Sequence, residues 1–156
     1  LMASVYTGVA QRAVEVGSSI ATTRRNATKG IVHADDPDIR WRLADAAIRL
    51  DGAVLQAEKV LADLDALGTG ESGPGTSDHG PRWFLHFSGV KSRATEAAIA
   101  AVDQVLRASG GAQYFRRSEL ERLSRDVRAG IYHPSDEESV HASYAKALLG
   151  EIGAER

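Results

Sequence analysis

The chain has 156 residues, a formal net charge of −2, and a composition that is 43% hydrophobic and 26% charged. This length suits one domain with its own hydrophobic core, and the near-neutral charge gives no indication of a nucleic acid or an anionic membrane as a partner. Cysteine is absent, which excludes disulfides and sulfur-based zinc sites and favours a cytoplasmic location, and no apolar run approaches the roughly 20 residues that cross a bilayer.

The first predicted helix runs from about Met2 to Thr28. Apolar residues recur there at steps of three and four and form one stripe: Val5, Val9, Ala13, Val16 and Ile20. Gly8 and Gly17 weaken the helix and indicate the close approach of a neighbour. Because the helical pattern begins at once, without a signal-peptide layout, we interpret the chain as a segment of a longer protein. The alternative is a native start at Met2.

The second predicted helix begins at a strong start signal. Asp36 can cap it, Pro37 suits its first position and Asp38 suits the positive end of the helix dipole. An alternating repeat of four and three then continues to Gly68 through Ile39, Leu43, Ala47, Leu50, Val54, Ala57, Leu61 and Leu64. So regular a repeat predicts packing against a long neighbouring helix.

Residues 68–82 form a predicted flexible loop because they are rich in glycine and polar residues. We expect the aromatic residues just after the loop to dock a third helix, which has an alanine-rich face and ends at Ser109-Gly110-Gly111. Two shorter helices follow, each with the spacing of a capping box, at Ser118 and Ser135. No alternating strand pattern is present. We therefore predict an all-α fold, an antiparallel up-down bundle of four main helices and a short C-terminal helix.

His133 is the first candidate for chemistry. It lies between a helix stop at Gly130 and a helix start, next to the rigid Pro134, where a side chain can be aimed. Imidazole can donate, accept or carry a proton near neutral pH. An exposed histidine at a turn is the alternative that the spacing alone favours.

Five arginines are candidates for binding phosphate or carboxylate: Arg24, Arg25, Arg122, Arg125 and Arg128. A solvated charged face is the alternative, because Glu121 and Arg125 have the spacing of a helix-stabilising pair. Asp78, His79 and His86 could suggest a metal site, but no further carboxylate lies at helical spacing to complete a set of ligands, so we predict no metal site.

Two stretches of the chain together resemble the C-terminal helical domain of the acyl-CoA dehydrogenase superfamily. In the first, Gly8-Val9-Ala10 precedes Arg24, and in the second, Gly110-Gly111 precedes Tyr114 and then Arg125-Asp126. The resemblance implies that Arg24 reaches the flavin pyrophosphate of a neighbouring subunit and that Gly110 and Gly111 belong to the cofactor site. It departs from the family where Gln113 replaces a third glycine.

A further departure lies at the segment Ile131-Tyr132-His133-Pro134-Ser135. True dehydrogenases have Ile-Tyr-Glu-Gly-Thr there, and their glutamate removes a substrate proton. A histidine at such a corner resembles instead the branch of flavin-dependent monooxygenases that use reduced flavin supplied by a separate reductase. The resemblance implies that His133 is a catalytic residue that assists the reaction of the flavin or polarises the substrate.

The resemblance also implies the partners of the chain. They are a flavin (FAD or FMN) without a metal, a small-molecule substrate, a flavin reductase and further copies of the chain, as a tetramer to whose close packing the alanine-rich residues 94–108 are suited. By itself the chain is expected to be inactive. Two alternatives remain open: an acyl-CoA dehydrogenase-like domain whose base lies elsewhere, and a bundle that serves only oligomerisation.

Overall fold

The computed structural model describes residues 1–70 and 75–152. Five α-helices form there: α1 (Met2–Thr23), α2 (Pro37–Thr69), α3 (Trp83–Ser109), α4 (Glu119–Asp126) and α5 (Glu137–Leu149). Short 3-10 helices join them at His33–Asp35, Gly80–Arg82, Gly111–Tyr114 and Val127–Ile131. The described ranges contain one isolated β-bridge, between Arg25 and Val32, and no strand. The all-α prediction is confirmed.

Side-chain bonds between α2 and α3 fix the direction of these two helices. Near the start of α2, Arg42 donates a 2.9 Å hydrogen bond to Gln104, towards the end of α3. Further along α2, Gln56 accepts a 2.6 Å bond from Arg93, towards the start of α3. The two helices therefore run antiparallel.

The first helix runs parallel to α3. Its Gly17 lies against Val105, and its Tyr6 lies beside Thr95, where both approach Gly130. A Cβ at Gly17 would come within 2.5 Å of Val105, so this glycine permits the close approach that its position in the helix predicts. At Gly8, no atom of the described residues lies within 4 Å of the Cβ position, so the expected close approach is not made within this chain.

The core lies where α3 packs between α1 and α2. Four alanines of α3 are buried within the chain itself: Ala94, Ala98, Ala101 and Ala108. Small side chains let the helix backbones approach one another closely and exclude water. The alanine-rich face, expected to pack between subunits, is thus covered by the chain's own helices.

The inner face of α1 is shifted by about one residue from the predicted stripe. Its buried residues are Tyr6, Ala10, Ala13, Gly17 and Ala21, whereas Val5 is 51% exposed. The helix also ends five residues earlier than the predicted Thr28, at Thr23. The reason is local, because the Asn26 side chain accepts the backbone N–H groups of Thr28 and Lys29 and forms a turn instead.

The helix starts show which capping signals act. Asp36 caps α2 as predicted, because its carboxylate accepts the N–H of Asp38 at 3.0 Å. The capping box predicted at Ser118 does not form, since that hydroxyl bonds Gln113 instead. The cap of α5 is Asp136, one residue after the predicted Ser135. Within the described ranges, no helix combines the length and apolarity that crossing a membrane requires.

The structure describes only part of the glycine-rich loop that was predicted at residues 68–82. Helix α2 continues to Thr69, and residues 71–74 lie outside the described residues. The backbone N–H of Ser77 and the ring of His79 both bond Asp63 of α2, at 3.0 and 2.8 Å. The flexibility of the loop stays a prediction. The aromatic residues after it do not all reach the core, because Phe84 is 64% exposed.

Candidate functional site

His133 lies at a corner between the 3-10 helix that ends at Ile131 and helix α5. Its Nδ1 atom is 2.6 Å from the hydroxyl of Tyr6, which is 3% exposed, and the two rings lie 5.7 Å apart at 43°. We call residues 130–136 the histidine corner. The imidazole is half-buried and held by a residue at the opposite end of the sequence.

A buried lysine ties the backbone of the histidine corner together. Lys91 of α3 donates from Nζ to the carbonyl oxygens of Gly130, His133 and Ser135, at 2.7, 3.1 and 3.1 Å. Burial lowers the pKa of Lys91, and the charge of Asp136 acts in the opposite direction. Three carbonyls satisfy all three donors of the ammonium group, so this charge positions the corner.

Gly130 lets the corner lie directly against α1 and α3. A Cβ there would fall 2.7 Å from a methyl carbon of Thr95 and 3.1 Å from the ring of Tyr6. Neither group is the free end of a long side chain, so both would have to move. The absence of a side chain at residue 130 is thus what brings Tyr6 within reach of His133.

The second ring nitrogen of His133, Nε2, lies open at the surface of the described chain. Within the described residues Nε2 has no hydrogen-bond partner, and it is not among the buried unpaired atoms, so it reaches the surface of the chain. The two residues that precede His133 in the chain are exposed as well, Tyr132 to 84% and Ile131 to 46%. The corner can therefore offer a hydrogen bond from Nε2 at a part of the surface that the described residues leave uncovered.

The three residues predicted to bind the cofactor also meet. The guanidinium of Arg24, just after α1, donates a 3.2 Å bond to the carbonyl of Ser109 at the end of α3. Gly110 follows with φ +82°, a backbone conformation that favours glycine, and nothing lies within 4 Å of the Cβ position of Gly110 or Gly111. We call this place the arginine end.

Hydrogen-bonding capacity is left over at the arginine end. The Ser109 hydroxyl and His33 Nδ1 are buried without a partner in the described structure, and the backbone N–H of His33 bonds the carbonyl of Arg24. Buried polar atoms seldom remain unpaired. Spare donors on an exposed guanidinium, open space at two glycines and unpaired polar atoms are features that fit a polar, anionic group such as a flavin phosphate.

The structure does not bring the arginine end and the histidine corner together. Helix α1 separates them, with Tyr6 near its start and Thr23 at its end. At a rise of about 1.5 Å per residue, these two residues lie roughly 26 Å apart along the helix axis. The four predicted site residues therefore form two places rather than one.

The other candidate arginines belong to the charged-face alternative. Arg122 pairs with Asp126, Arg125 with Glu121 and Arg128 with Asp103. Arg25 donates to the carbonyl of Gly30. All of these bonds lie within the chain, and they account for four of the five arginines without a ligand.

Sequence reasoning missed three buried or half-buried polar groups that the fold uses. Tyr6 and Lys91 both sit on inner helix faces, and a polar side chain on an apolar face was the available signal. The third is Asp63 of α2, which accepts from Lys59, Ser77 and His79. Its pKa falls to about 2, chiefly through the hydrogen bond from Lys59. Across residues 1–70 and 75–152, no group of three or more His, Cys, Asp or Glu side chains is arranged to hold a metal ion.

Helix α2 carries apolar features at the surface. An open cleft of about 700 Å³ lies between the end of α1 and the start of α2, with Trp41 and Leu43 in its wall. Trp41, Ile48 and Leu55 are 62%, 72% and 57% exposed. Their seven-residue spacing places them on one face of the helix, opposite the buried Ala46 and Leu50.

The all-helical fold, the arginine end and the histidine corner together characterise this domain. This is a helical domain with one polar place at each end of its first helix. The chain belongs to the acyl-CoA dehydrogenase C-terminal domain family, because the sequence model of that family matches residues 1–136.

Two relatives show the range within this family. The chain is 28% identical over 154 residues to 3-sulfinopropanoyl-CoA desulfinase of Paraburkholderia xenovorans, which covers 99% of this chain and 36% of that protein. It is 31% identical over 131 residues to the flavin-dependent monooxygenase oxygenase subunit HsaA of Rhodococcus jostii, 83% of this chain and 32% of that protein.

A solved structure agrees with the fold. The nitrososynthase from Micromonospora carbonacea var. africana superposes with a TM-score of 0.79 at 27% identity, over 96% of this chain and 38% of that one. The chain thus spans about a third of the length of each of these proteins.

Proposed function

We propose that this chain is the C-terminal helical domain of a longer flavin-dependent monooxygenase, in which it forms one wall of the active site. Membership of the family, the coverage of only about a third of each relative and the relatedness to a monooxygenase subunit support this proposal. The observation that carries it is His133, held through one ring nitrogen and open at the other.

In this proposal the flavin, FAD or FMN, supplies the redox chemistry when it is bound. Arg24, Gly110 and Gly111 hold a phosphate of the flavin at the arginine end. At the histidine corner, His133 donates a hydrogen bond to an oxygen atom of the reacting species in a site sheltered from water. Tyr132 and Ile131 line that site and exclude water from it.

The proposed partners follow from the same assignment. The apolar outer face of α2, with Trp41, Ile48 and Leu55, supports contact with further copies in a homo-oligomer, for which we propose a tetramer. A separate reductase supplies the reduced flavin, and the substrate is a small molecule. The cytoplasmic location stays a prediction from the cysteine-free composition.

The test uses the longer protein that contains this chain, assayed with chemically reduced FAD or FMN and oxygen. His133→Ala is expected to increase the share of flavin electrons lost as hydrogen peroxide, or to lower hydroxylation, because the hydrogen-bond donor is gone. His141→Ala is the matched control, since His141 is exposed on α5 and its one hydrogen bond among the described residues is to the carbonyl of Glu137. Equal peroxide release in both variants and the native enzyme would contradict the role of His133.

A second candidate is an enzyme that acts on a coenzyme A thioester, as the name of the desulfinase relative suggests for that protein. Its base would then lie outside this chain, because His133 occupies the corner where dehydrogenases have glutamate. Reduction of an artificial electron acceptor by the longer protein in the presence of acyl-CoA would favour this candidate. If the longer protein carries out neither reaction, the remaining candidate is a helical bundle that serves only oligomerisation.

A further inference from the structure

The tautomer of His133 is set by its single side-chain partner. A neutral imidazole carries one proton, on Nδ1 or on Nε2, and a hydrogen bond at one nitrogen decides what the other can do. Here the partner of Nδ1 is a phenol rather than a carboxylate or a carbonyl. A carboxylate or a carbonyl only accepts, so it would draw the proton to Nδ1, whereas a phenol can also donate and leave the proton on Nε2.

The surroundings of Tyr6 make its hydroxyl the donor. The residue is 3% exposed, and within residues 1–70 and 75–152 its hydroxyl has no partner other than His133 Nδ1. A hydroxyl that donated nothing would leave a buried proton unsatisfied. Burial also raises the pKa of Tyr6, which keeps the phenol protonated and able to donate.

The backbone of His133 is held separately from its ring. Lys91 binds the carbonyl of His133 and those of Gly130 and Ser135, and Pro134 follows directly. Ser135 has φ +61°, a backbone conformation that residues other than glycine rarely adopt. The corner is therefore fixed at its main chain by α3 and at its imidazole by α1.

We propose that Tyr6 is a positioning residue that holds His133 in the neutral tautomer protonated at Nε2, so that the free Nε2–H faces out of the chain as a hydrogen-bond donor. The group it suits is an oxygen acceptor on a ligand, such as a carbonyl or an oxygen anion. A ligand that must donate to this histidine, or lose a proton to it through Nδ1, does not fit. The inference rests on the proposed function only for the identity of the ligand.

The first experiment needs no cofactor. In the 156-residue chain labelled with ¹⁵N-histidine, at about pH 9 where an ordinary histidine is neutral, we expect His133 Nδ1 to resonate as an unprotonated nitrogen and Nε2 as a protonated one. Tyr6→Phe keeps the buried ring and removes only the hydroxyl. It should shift His133 to a mixture of both tautomers. A His133 protonated at Nδ1 in the native chain would overturn the proposal.

The matched control is Tyr144→Phe. That variant also removes a single tyrosine hydroxyl, which donates to the carbonyl of Leu85 at 2.9 Å and has no described bond to His133. The tautomer of His133 should stay as in the native chain. A change of the same size in both variants would mean that loss of packing, and not the Tyr6 bond, moves the signal, and the proposal would fall.

A second pair of variants tests the consequence in the longer protein. The amide nitrogen of glutamine can occupy the place of Nε2, whereas that of asparagine matches Nδ1. His133→Gln should therefore lose less hydrogen-bonding function than His133→Asn, with peroxide release closer to the native share. The reverse order would overturn the proposal. If the tautomer is as stated and His133→Ala leaves catalysis unchanged, the positioning by Tyr6 stands and the proposed function fails.

Discussion

The histidine corner and the arginine end differ in how far the chain completes them. At the corner, Tyr6 and Lys91 satisfy the buried Nδ1 side and the backbone carbonyl of His133 and leave the exposed Nε2 without a described partner, whereas at the arginine end the Ser109 hydroxyl stays buried and unpaired. A place whose buried polar groups are already satisfied can be rigid before any ligand arrives. A place with spare polar groups gains most when a ligand binds. The histidine corner thus holds its imidazole in a fixed orientation without a ligand, whereas the arginine end has polar groups that a ligand could still satisfy.

The largest expected effect comes from removing the charge that ties the corner together. Lys91→Met leaves three carbonyls without their donor, and we expect it to lower the free energy of unfolding by about 2–4 kcal/mol. Urea unfolding followed by circular dichroism measures this loss. Lys146→Met is the control, because Lys146 pairs with Glu151 at the surface, where such pairs contribute at most about 1 kcal/mol. Equal losses would show that the corner is not held by Lys91.

Next in size is a pH-dependent effect at Asp63. Because its pKa is lowered from 3.8 to about 2, its charged form stabilises the fold above about pH 4, and this contribution disappears as the pH falls from about 4 towards 2. The urea midpoint of Asp63→Asn should thus lie below the native one at pH 7, with the gap narrowing at about pH 3. Asp51→Asn, at an exposed position without a described hydrogen bond, should show no such gap. A gap that stays constant with pH would contradict the role of the charge.

A smaller loss is expected from filling the gap at Gly130. Gly130→Ala forces Thr95 and Tyr6 to move, at a cost of about 1–3 kcal/mol. Gly52→Ala is the matched control, because nothing lies within 4 Å of its Cβ position and alanine in an exposed helix is favoured by about 0.5–1 kcal/mol. Thermal unfolding should therefore move in opposite directions. Parallel shifts would remove the argument for close packing at the corner.

The smallest effect concerns the hydroxyl left over at the arginine end. Ser109→Ala removes a buried group without a partner, so we expect no loss of stability and a gain of up to about 1 kcal/mol. Ser88→Ala, also buried in α3, breaks a 2.8 Å bond to the carbonyl of Phe84 and should cost about 0.5–1.5 kcal/mol. If both variants lose stability equally, the Ser109 hydroxyl has a partner and the two ends differ less than described.

Patterns within one segment predicted the helices and the position of the histidine, because both depend on neighbouring residues. The start of α2 at Asp36 and Pro37 is an example. The predicted end of α1 at Thr28 was wrong because the turn at Asn26 competes with continuation of the helix. Apolar spacing located the inner face of α1 only to within about one residue, since small residues such as Ala10 and Gly17, rather than valines, are the buried ones.

The partners of the site residues could not be predicted from such patterns. Tyr6 lies 127 positions from His133, and Arg24 lies 85 positions from Ser109. Only the packing of α1 against α3 and the corner brings these pairs together. The resemblance to the family named His133, Arg24, Gly110 and Gly111 as candidates, but their division between two ends of the molecule follows from the length and direction of α1.

The length of α1 has a consequence for how mutant copies would behave when mixed. If the flavin binds as proposed, its ribityl chain is too short to span the roughly 26 Å between Tyr6 and Thr23, so the arginine end and the histidine corner of one copy would serve different flavins. A copy with Arg24→Ala and a copy with His133→Ala would each be defective alone. Assembled together, they would pair an intact arginine with an intact histidine at some positions and recover part of the activity, an intragenic complementation that a site confined to one copy would never display.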